Sequence, residues 1–422
     1  MNDYNKPSFY RIFLSIPLLL IATSVDAEWF EEKKAQSVQE AFEEGAAHVD
    51  FRLRYEDIKQ GEQGAQALTL RSRLGFKTLP FELFHAFVEF DDVRAIPNDN
   101  NYNSGANGQL DDVFLEDPEG TELNQAWIAY DVANTLIKLG RQTMSLNNER
   151  MLGGDGWRQN EQTFSALSIR NETLNYTRIE FAQLNQVQTN QDERLGSAHQ
   201  DINAKLFNLN YRGFWLSDLS LYALWISDHP EQKQWETSTY GIRFSGDLGG
   251  DFSVAYQLEL AQQEDAGANP ISYSTTYALI DLVFGYQGVE VNVGYERLGA
   301  SDGGYFVTPL GSLRDFQGAS DQFSNNGLGN IQGGIQDSYL GLGYAAIIVF
   351  AQQSLPASIS VNYHDFQADS VVDNIDHLGE EWNIDAAIEL DHYQVLLQYA
   401  DYHADQYGKS DQHVWLALSM SF

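Results

Sequence analysis

From His48 to Phe422 the chain divides into about 18 short runs in which apolar and polar residues alternate, and the gaps between runs alternate too, long then short. A strand turns successive side chains to opposite faces, so period-two alternation calls for a sheet with unlike surroundings on its two sides. A closed transmembrane barrel supplies them: lipid outside, water inside, tight turns at one rim and long loops at the other. The runs are 47–58, 66–77, 82–93, 122–131, 134–143, 162–170, 172–185, 201–212, 217–227, 236–246, 250–262, 272–286, 288–298, 336–350, 355–366, 379–390, 392–402 and 413–422. The expected fold is all-β, an antiparallel transmembrane β-barrel of about 18 strands, wide enough for an aqueous channel. An even count puts the N- and C-termini on one side, the periplasmic one, and the longer links (59–65, 94–121, 144–161, 186–200, 228–235, 263–271, 299–335, 367–378 and 403–412) outside.

The two ends of the chain agree with export to a bacterial outer membrane. Lys6 and Arg11 precede the apolar stretch 12–22, and Val25-Asp-Ala27 offers the small or apolar residues a signal peptidase reads, so 1–27 is expected to be a signal peptide. That stretch is shorter than the roughly 20 residues a spanning helix needs. Residues 28–46 are expected to be a periplasmic leader in which Ser37-Val-Gln-Glu40 has the form of a capping box; either Val38, Ala41 and Phe42 make the apolar side of a short helix or the leader is unstructured. The barrel follows at 47–422. Its last run, Val414 to Phe422, sets Val414, Leu416, Leu418, Met420 and Phe422 on one face and resembles the terminal strand by which the barrel-insertion machinery recognises its clients.

Composition narrows the partners. The 24 Phe, 22 Tyr and 8 Trp fit aromatic rims at two membrane interfaces. A formal charge of −35 argues against nucleic acid. Outer-membrane lipid and lipopolysaccharide are the expected surroundings, with acidic outer loops bridged to lipopolysaccharide by divalent cations or merely solvated. No cysteine is present.

Alternation also assigns faces. With Phe51, Leu53 and Tyr55 toward lipid, Arg52, Arg54 and Glu56 face the lumen, since a charge on the lipid face near the midplane costs about 2–4 kcal/mol. By the same rule Arg71, Arg73 and Lys77 face inward in the second run, His85, Glu89 and Asp91 in the third, and Lys138 in the fifth. The chain holds 25 Lys and Arg, of which 13 lie between residues 50 and 180 and 8 between 181 and 422. Later runs supply carboxylates instead: Glu259, Glu290, Glu296, Asp385 and Glu389. One wall is thus expected to be basic and the opposite one acidic, a transverse field that orients dipolar or anionic solutes. The arginines either attract anions with planar donors or pair with Glu56, Glu89 and Asp91 to fill the wall, and spare donors allow both.

The link 144–161 carries the least ordinary local sequence, Arg150 and then Gly156-Trp-Arg-Gln-Asn-Glu-Gln-Thr-Phe164, which suggests a loop folded inward with Arg158 and Glu161 as polar contacts, against an ordinary packed outer loop. Together with Gly140-Arg-Gln142, Gly120-Thr-Glu-Leu-Asn-Gln125, Arg52-Leu-Arg54-Tyr-Glu56, Leu70-Arg-Ser-Arg-Leu-Gly75 and Phe87-Val-Glu-Phe90, it resembles the alginate-export family of outer-membrane β-barrel porins, most strongly over residues 38–190. The resemblance implies an 18-stranded barrel conducting an anionic uronate polymer or another small solute, and adds Arg141 and Arg158 to the selectivity candidates.

Other signals carry less. Asp residues in and beside the link 94–121 lack EF-hand spacing, and the nine His are scattered without metal spacing. No cofactor, metal or catalytic residue is assigned, and an enzyme is not expected. The leading reading is a porin for passive diffusion of small anionic or saccharide-like solutes, its selectivity set by Arg52, Arg54, Arg71, Arg73, Lys77, Glu89, Lys138, Arg141 and Arg158. Two others stand beside it: export of an anionic polysaccharide such as alginate, and a non-conducting surface or adhesin barrel.

Overall fold

The computed structural model describes residues 33–97, 100–324, 327–350 and 353–422; the expected signal peptide 1–27 and the first residues of the expected leader lie outside them. Eighteen antiparallel strands form one closed sheet. In chain order they are β1 Ala46–Gln60, β2 Gln63–Lys77, β3 Phe84–Ala95, β4 Gly120–Val132, β5 Thr135–Gln142 and β6 Thr163–Asn171. Then follow β7 Thr177–Gln188, β8 His199–Tyr211, β9 Asp218–Asp228, β10 Thr237–Leu248, β11 Phe252–Asp265 and β12 Ser274–Tyr286. The last are β13 Val289–Leu298, β14 Ile335–Phe350, β15 Gln353–Val372, β16 Ile375–Leu390, β17 Tyr393–Ala404 and β18 Asp411–Ser421. Each pairs with its chain neighbour, and β1 closes on β18 from Asp50↔Ser421 to Gln60↔Asp411. Closure leaves no edge, which lipid would not tolerate.

The assigned faces hold in β1 to β3. Arg52, Arg54, Glu56, Arg71, Lys77, Glu89 and Asp91 are buried inside, while Leu53, Leu74, Phe84 and Phe90 are exposed outside. Leu139, Ile128, Leu260, Leu340 and Leu416 continue the exposed apolar band around the barrel. At the rim of tight turns, aromatic rings pair along the outer face: Phe84 with Tyr130 at 4.8 Å and Tyr393 with Phe422 at 6.4 Å.

Two of the links expected to be long are instead two-residue turns. β1 and β2 extend until only Gly61 and Glu62 separate them, and β15 and β16 until only Asp373 and Asn374 do. The reason is local. Gly61 at φ 62°, and Asp373 and Asn374 at φ 55° and 65°, supply the left-handed backbone a tight hairpin needs, so pairing runs on past the barrel wall. The capping box forms as well: in α1, Val38–Glu43, the Ser37 side chain accepts from the Glu40 amide at 3.1 Å. Its buried side is Ala41, packed with Ala35 and Leu79 beneath the β2–β3 turn, whereas Val38 and Phe42 stay exposed.

The lumen is not uniformly polar. On β6 to β13 the inner face carries Phe164, Ala182, Leu184, Ala204, Leu206, Leu224, Ala261, Tyr277 and Leu279, and loop residues Leu146, Met151, Leu152, Phe306, Val307, Leu310 and Leu328 pack onto them. The two segments that supply those residues, 143–162 and the described parts of 299–334, are therefore lodged inside the barrel. Burying an apolar side chain of this size contributes about 1.5–3 kcal/mol, so the seven loop residues offset part of the entropy of ordering the two segments.

Candidate lumen constriction

Segment 143–162 leaves β5, crosses the lumen and meets the inner faces of β1 and β2. Arg52 Nε donates to Gln159 Oε1 at 3.0 Å, Nη1 to the Gly156 carbonyl at 2.9 Å and Nη2 to the Arg158 carbonyl at 2.5 Å. Arg54 donates to the Trp157 carbonyl at 2.5 Å and forms an ion pair with Asp117, which reaches in from the β3–β4 loop. Gln159 Nε2 answers by donating to Thr69 Oγ1 at 2.9 Å. The Trp-Arg-Gln-Asn-Glu-Gln stretch is thus the part of the loop that docks. Its backbone carbonyls point at two arginines because the loop makes no ladder of its own, and buried carbonyls require donors.

The second lodged segment delivers Arg314, whose guanidinium lies 3.5 Å from the Trp157 ring centre and 4.6 Å from that of Trp415. The segments also hold each other. Gly153 N donates to the Leu310 carbonyl at 2.9 Å, Asp155 N to Ser312 Oγ at 3.0 Å, and Ser312 Oγ to Glu149 Oε2 at 2.7 Å. Arg150 meets Glu296 on the far wall at 3.0 Å.

Between them sits Arg158, 3.9 Å from Glu56 and 3.8 Å from Asp321. Asn190 ties Glu116 and Asp155 together, at 3.1 and 2.8 Å. Enclosure beside Asp155 and Asp321 pushes the Glu116 carboxyl up to about 7 against the pull of Arg158. Burial pushes Asp321 up to about 6 and Asp315 to about 7. Arg158 is held above its ordinary value by Glu56, Glu116 and Asp321 in spite of its burial, whereas Arg314, buried near Arg158 and Arg54, is lowered to about 10. The constriction therefore holds fixed cations among carboxylates that titrate near neutrality.

The remaining candidates divide. Arg71 pairs with Asp50, and Arg73 is bidentate to Asp91 at 2.7 and 2.6 Å, with Glu161 at 3.2 Å and Glu89 at 3.9 Å. Glu89 accepts from Asn124 at 2.8 Å and Gln125 at 3.0 Å. Lys138 lies 4.3 Å over the Trp127 ring, and Lys77 is buried near the tight-turn rim. Arg141 departs from the expectation. It pairs in register with Ala126, in the outward row of Val88, and its guanidinium donates to the Leu123 carbonyl at 2.8 Å. β5 pairs without a break on both sides, so with Lys138 facing the lumen Arg141, three positions on, faces out of the pore.

The basic wall is in fact neutralised. Arg52, Arg54, Arg71, Arg73, Lys77 and Lys138 share it with Asp50, Glu56, Glu89, Asp91 and Glu122. Across the lumen Glu259, Asp281, Glu296, Asp337, Glu381 and Asp385 form the acidic wall, met by Arg243 and His364 from the strands and by Arg150 and Arg314 from the lodged segments. Arg314 and Asp315 lie in a link whose glycines stand out more than its charges; Leu313-Arg-Asp-Phe316, a charged pair between apolar residues inside the longest link, is the signal that points to them.

A sequence model described as alginate export matches residues 44–295. The chain belongs to the alginate-export family. This member of the alginate-export family is a channel-type β-barrel of the bacterial outer membrane. Its fold is shared by Pseudomonas aeruginosa OccK5 (OpdH), at a TM-score of 0.69 and 10% identity, covering 90% of this chain and 99% of that one. Acinetobacter baumannii OccAB4 gives 0.68 and 12%, covering 90% and 98%. P. aeruginosa OpdK, also crystallised with vanillate, gives 0.65 and 14%, covering 89% and 98% in that complex. Among curated proteins none matches the chain in sequence.

Proposed function

We propose that this alginate-export-family barrel is a passive channel for small anionic or saccharide-like solutes, which cross singly at the constriction around Arg158. The observation that carries the reading is the meeting of two lodged segments across the lumen, tied to each other and to both walls. Where they meet, Arg158, Asp321 and Glu116 bring side chains of both signs together. Such a meeting point suits a compact solute with a carboxylate or several hydroxyls, met by the charges of both signs around Arg158. The vanillate bound by OpdK, a barrel of the same fold, is a solute of this size. In this reading Arg158 meets the solute, while Arg52, Arg54, Arg71 and Arg73 set the shape of the lumen by holding loops and wall.

Orientation follows from barrel convention: the long links face outside and both termini the periplasm, after removal of 1–27. The outward row Leu416, Leu418 and Met420 is the segment offered to the insertion machinery, and lipopolysaccharide surrounds the outer rim. A second reading, export of an anionic polysaccharide, is favoured by the family's description. A polymer needs a bore open along its length, so this reading requires both lodged segments to move aside.

Liposome swelling with a panel of neutral sugars, uronates and aromatic acids tests the proposal. Passage of monomers with exclusion of oligouronates is the expected result; passage of oligouronates at comparable rates favours export, and no swelling at all favours a sealed surface barrel.

A further inference from the structure

The helix α1 lies outside the barrel wall, and its six residues are too few to hold a helix in water alone. It is bound instead along the β2–β3 turn: Ala35 N donates to the Pro80 carbonyl and Leu79 N to the Ala41 carbonyl, both at 2.9 Å. Ala41 faces that turn and is buried with Ala35 and Leu79. Each helical residue turns the axis by about 100°, so Val38 and Phe42 lie about 40° apart and share one side. Both are 58% exposed. Gln39 and Glu43, joined at 2.7 Å, lie about 100° further round, and Glu40, which accepts from the Gln36 amide at 2.7 Å, continues the polar side. An apolar side that the described residues leave largely bare thus sits between a covered side and a polar one.

Its direction is set by Phe76. That residue follows Leu74 by two positions on β2 and so shares its lipid-facing row. The Phe42 ring stacks on the Phe76 ring at 6.3 Å and 11°. The backbone at Gly45 lies against the same ring, closely enough that a Cβ there would sit 2.5 Å from Phe76 Cζ. Phe42 therefore extends the outward row past the end of β2, at the rim marked by the pairs Phe84 with Tyr130 and Tyr393 with Phe422.

The size of the bare face decides its occupant. Two side chains fall far short of the roughly 800 Å² that each partner buries in a stable protein interface, so neither a second copy nor a periplasmic protein is matched to them. A lipid leaflet needs no such area, because it already meets the row of Leu74 and Phe76 that Phe42 continues. In the orientation proposed above, this leaflet is the periplasmic one, made of phospholipid.

We propose that α1 is an interfacial anchor whose Val38 and Phe42 enter the boundary between phospholipid headgroups and acyl chains, while Gln39, Glu40 and Glu43 stay in water. Its carboxylates give no attraction to anionic lipid, and none is needed. Only Glu44 and Gly45 separate α1 from β1, so the wall itself brings the helix to the interface. The anchor fixes the depth of the strand on which the ring closes. This contact is independent of what the lumen conducts.

The chain has no cysteine, so a single cysteine carries a nitroxide label without background. Val38→Cys, Gln39→Cys and Phe42→Cys, each in the otherwise native chain, are placed in vesicles of phosphatidylethanolamine and phosphatidylglycerol. Power saturation then compares collisions with oxygen, which concentrates among acyl chains, and with a nickel chelate, which stays in water. The ratio of oxygen to nickel collisions is expected to be several-fold higher at 38 and 42 than at 39, and the label at 38 is read with Phe42 intact. Equal, water-like ratios at all three positions overturn the anchor. Exclusion of both reagents at 38 and 42 also overturns it, by showing that protein covers them. With Val38→Ser and Phe42→Ser added, the label at 39 is expected to become more mobile; an unchanged spectrum shows the turn contacts to suffice and removes the anchoring role. Heat-modifiable gel mobility of each variant confirms that the barrel has formed.

Discussion

If Arg52 anchors a loop rather than selecting solutes, Arg52→Ala changes the shape of the current before it changes its ion preference. The side chain is 2% exposed and directs its donors to two backbone carbonyls and one amide oxygen of the lodged segment. Hydrogen bonds from a charged donor contribute about 1.5–3 kcal/mol each and are not additive within one group. Taking about 3 kcal/mol for the set, the ratio of docked to released loop tip falls by roughly 100-fold. The whole segment is not lost, since Gln159 still bonds Thr69, Arg54 still bonds the Trp157 carbonyl, and the apolar contacts of Leu146, Met151 and Leu152 remain. Single-channel recordings should show a second, larger conductance level visited repeatedly, where the native channel holds one level. Arg52→Lys, which keeps the charge but loses the fork, should behave nearly like Arg52→Ala. An unchanged conductance with a shifted reversal potential in Arg52→Ala, restored by Arg52→Lys, would refute the anchoring argument and return Arg52 to the role of a selectivity residue.

Lowering the pH should make the channel more anion-selective. Glu116, Asp315 and Asp321 carry raised values of about 7, 7 and 6, so they are ionised at pH 8 and largely neutral at pH 5, while Arg158 keeps its charge throughout. Reversal potentials in a salt gradient should shift toward anions across that window, and an Arg158→Gln channel should show a weaker anion preference at both ends. Asp91→Asn removes the bidentate partner of Arg73 inside the wall, and breaking a buried pair costs about 3–5 kcal/mol, so the barrel should lose its heat-modified gel shift at a lower temperature than Asp92→Asn, whose partner Arg94 is exposed. Gly140→Ala should fold poorly, because a Cβ there would lie 2.2 Å from the Ala126 carbonyl oxygen at a backbone φ of 132°; a refolding yield equal to the native chain's would contradict it.

Much of this architecture is legible from residue order, because a barrel wall has only two faces and a one-residue slip would put charges such as Arg52 or Arg71 into lipid. Strand count, the inward set of β1 to β3 and the lipid-facing row of β18 follow from that penalty alone. The same rule is silent where both faces of a strand are apolar. On β7 to β9 inward Leu184, Leu206 and Leu224 cannot be told by pattern from outward Phe181, Phe207 and Leu221, and bulges near Leu184 and Ala204 shift the phase. That inner apolar patch exists to receive Leu146, Met151 and Phe306, contacts between segments far apart in sequence, so no local pattern announces it. Arg141 is a different case: an odd number of positions from inward Lys138 on an unbroken strand, it faces outward as alternation requires, and only its charge and its place in the family motif suggest the pore.

The pairing of β1 with β18 also sets when the molecule becomes a barrel. Asp50 meets Ser421 across 371 positions, and the backbone of Val49 exchanges hydrogen bonds with Phe422, the final residue. Bringing such distant ends together is entropically unfavourable, and no partial ring relieves it, because any chain lacking its last ten residues presents two unpaired strands to the membrane. Ring closure thus makes the sheet depend on its two most distant strands at once, and the slowest step of assembly is expected to be the one that joins β1 to β18.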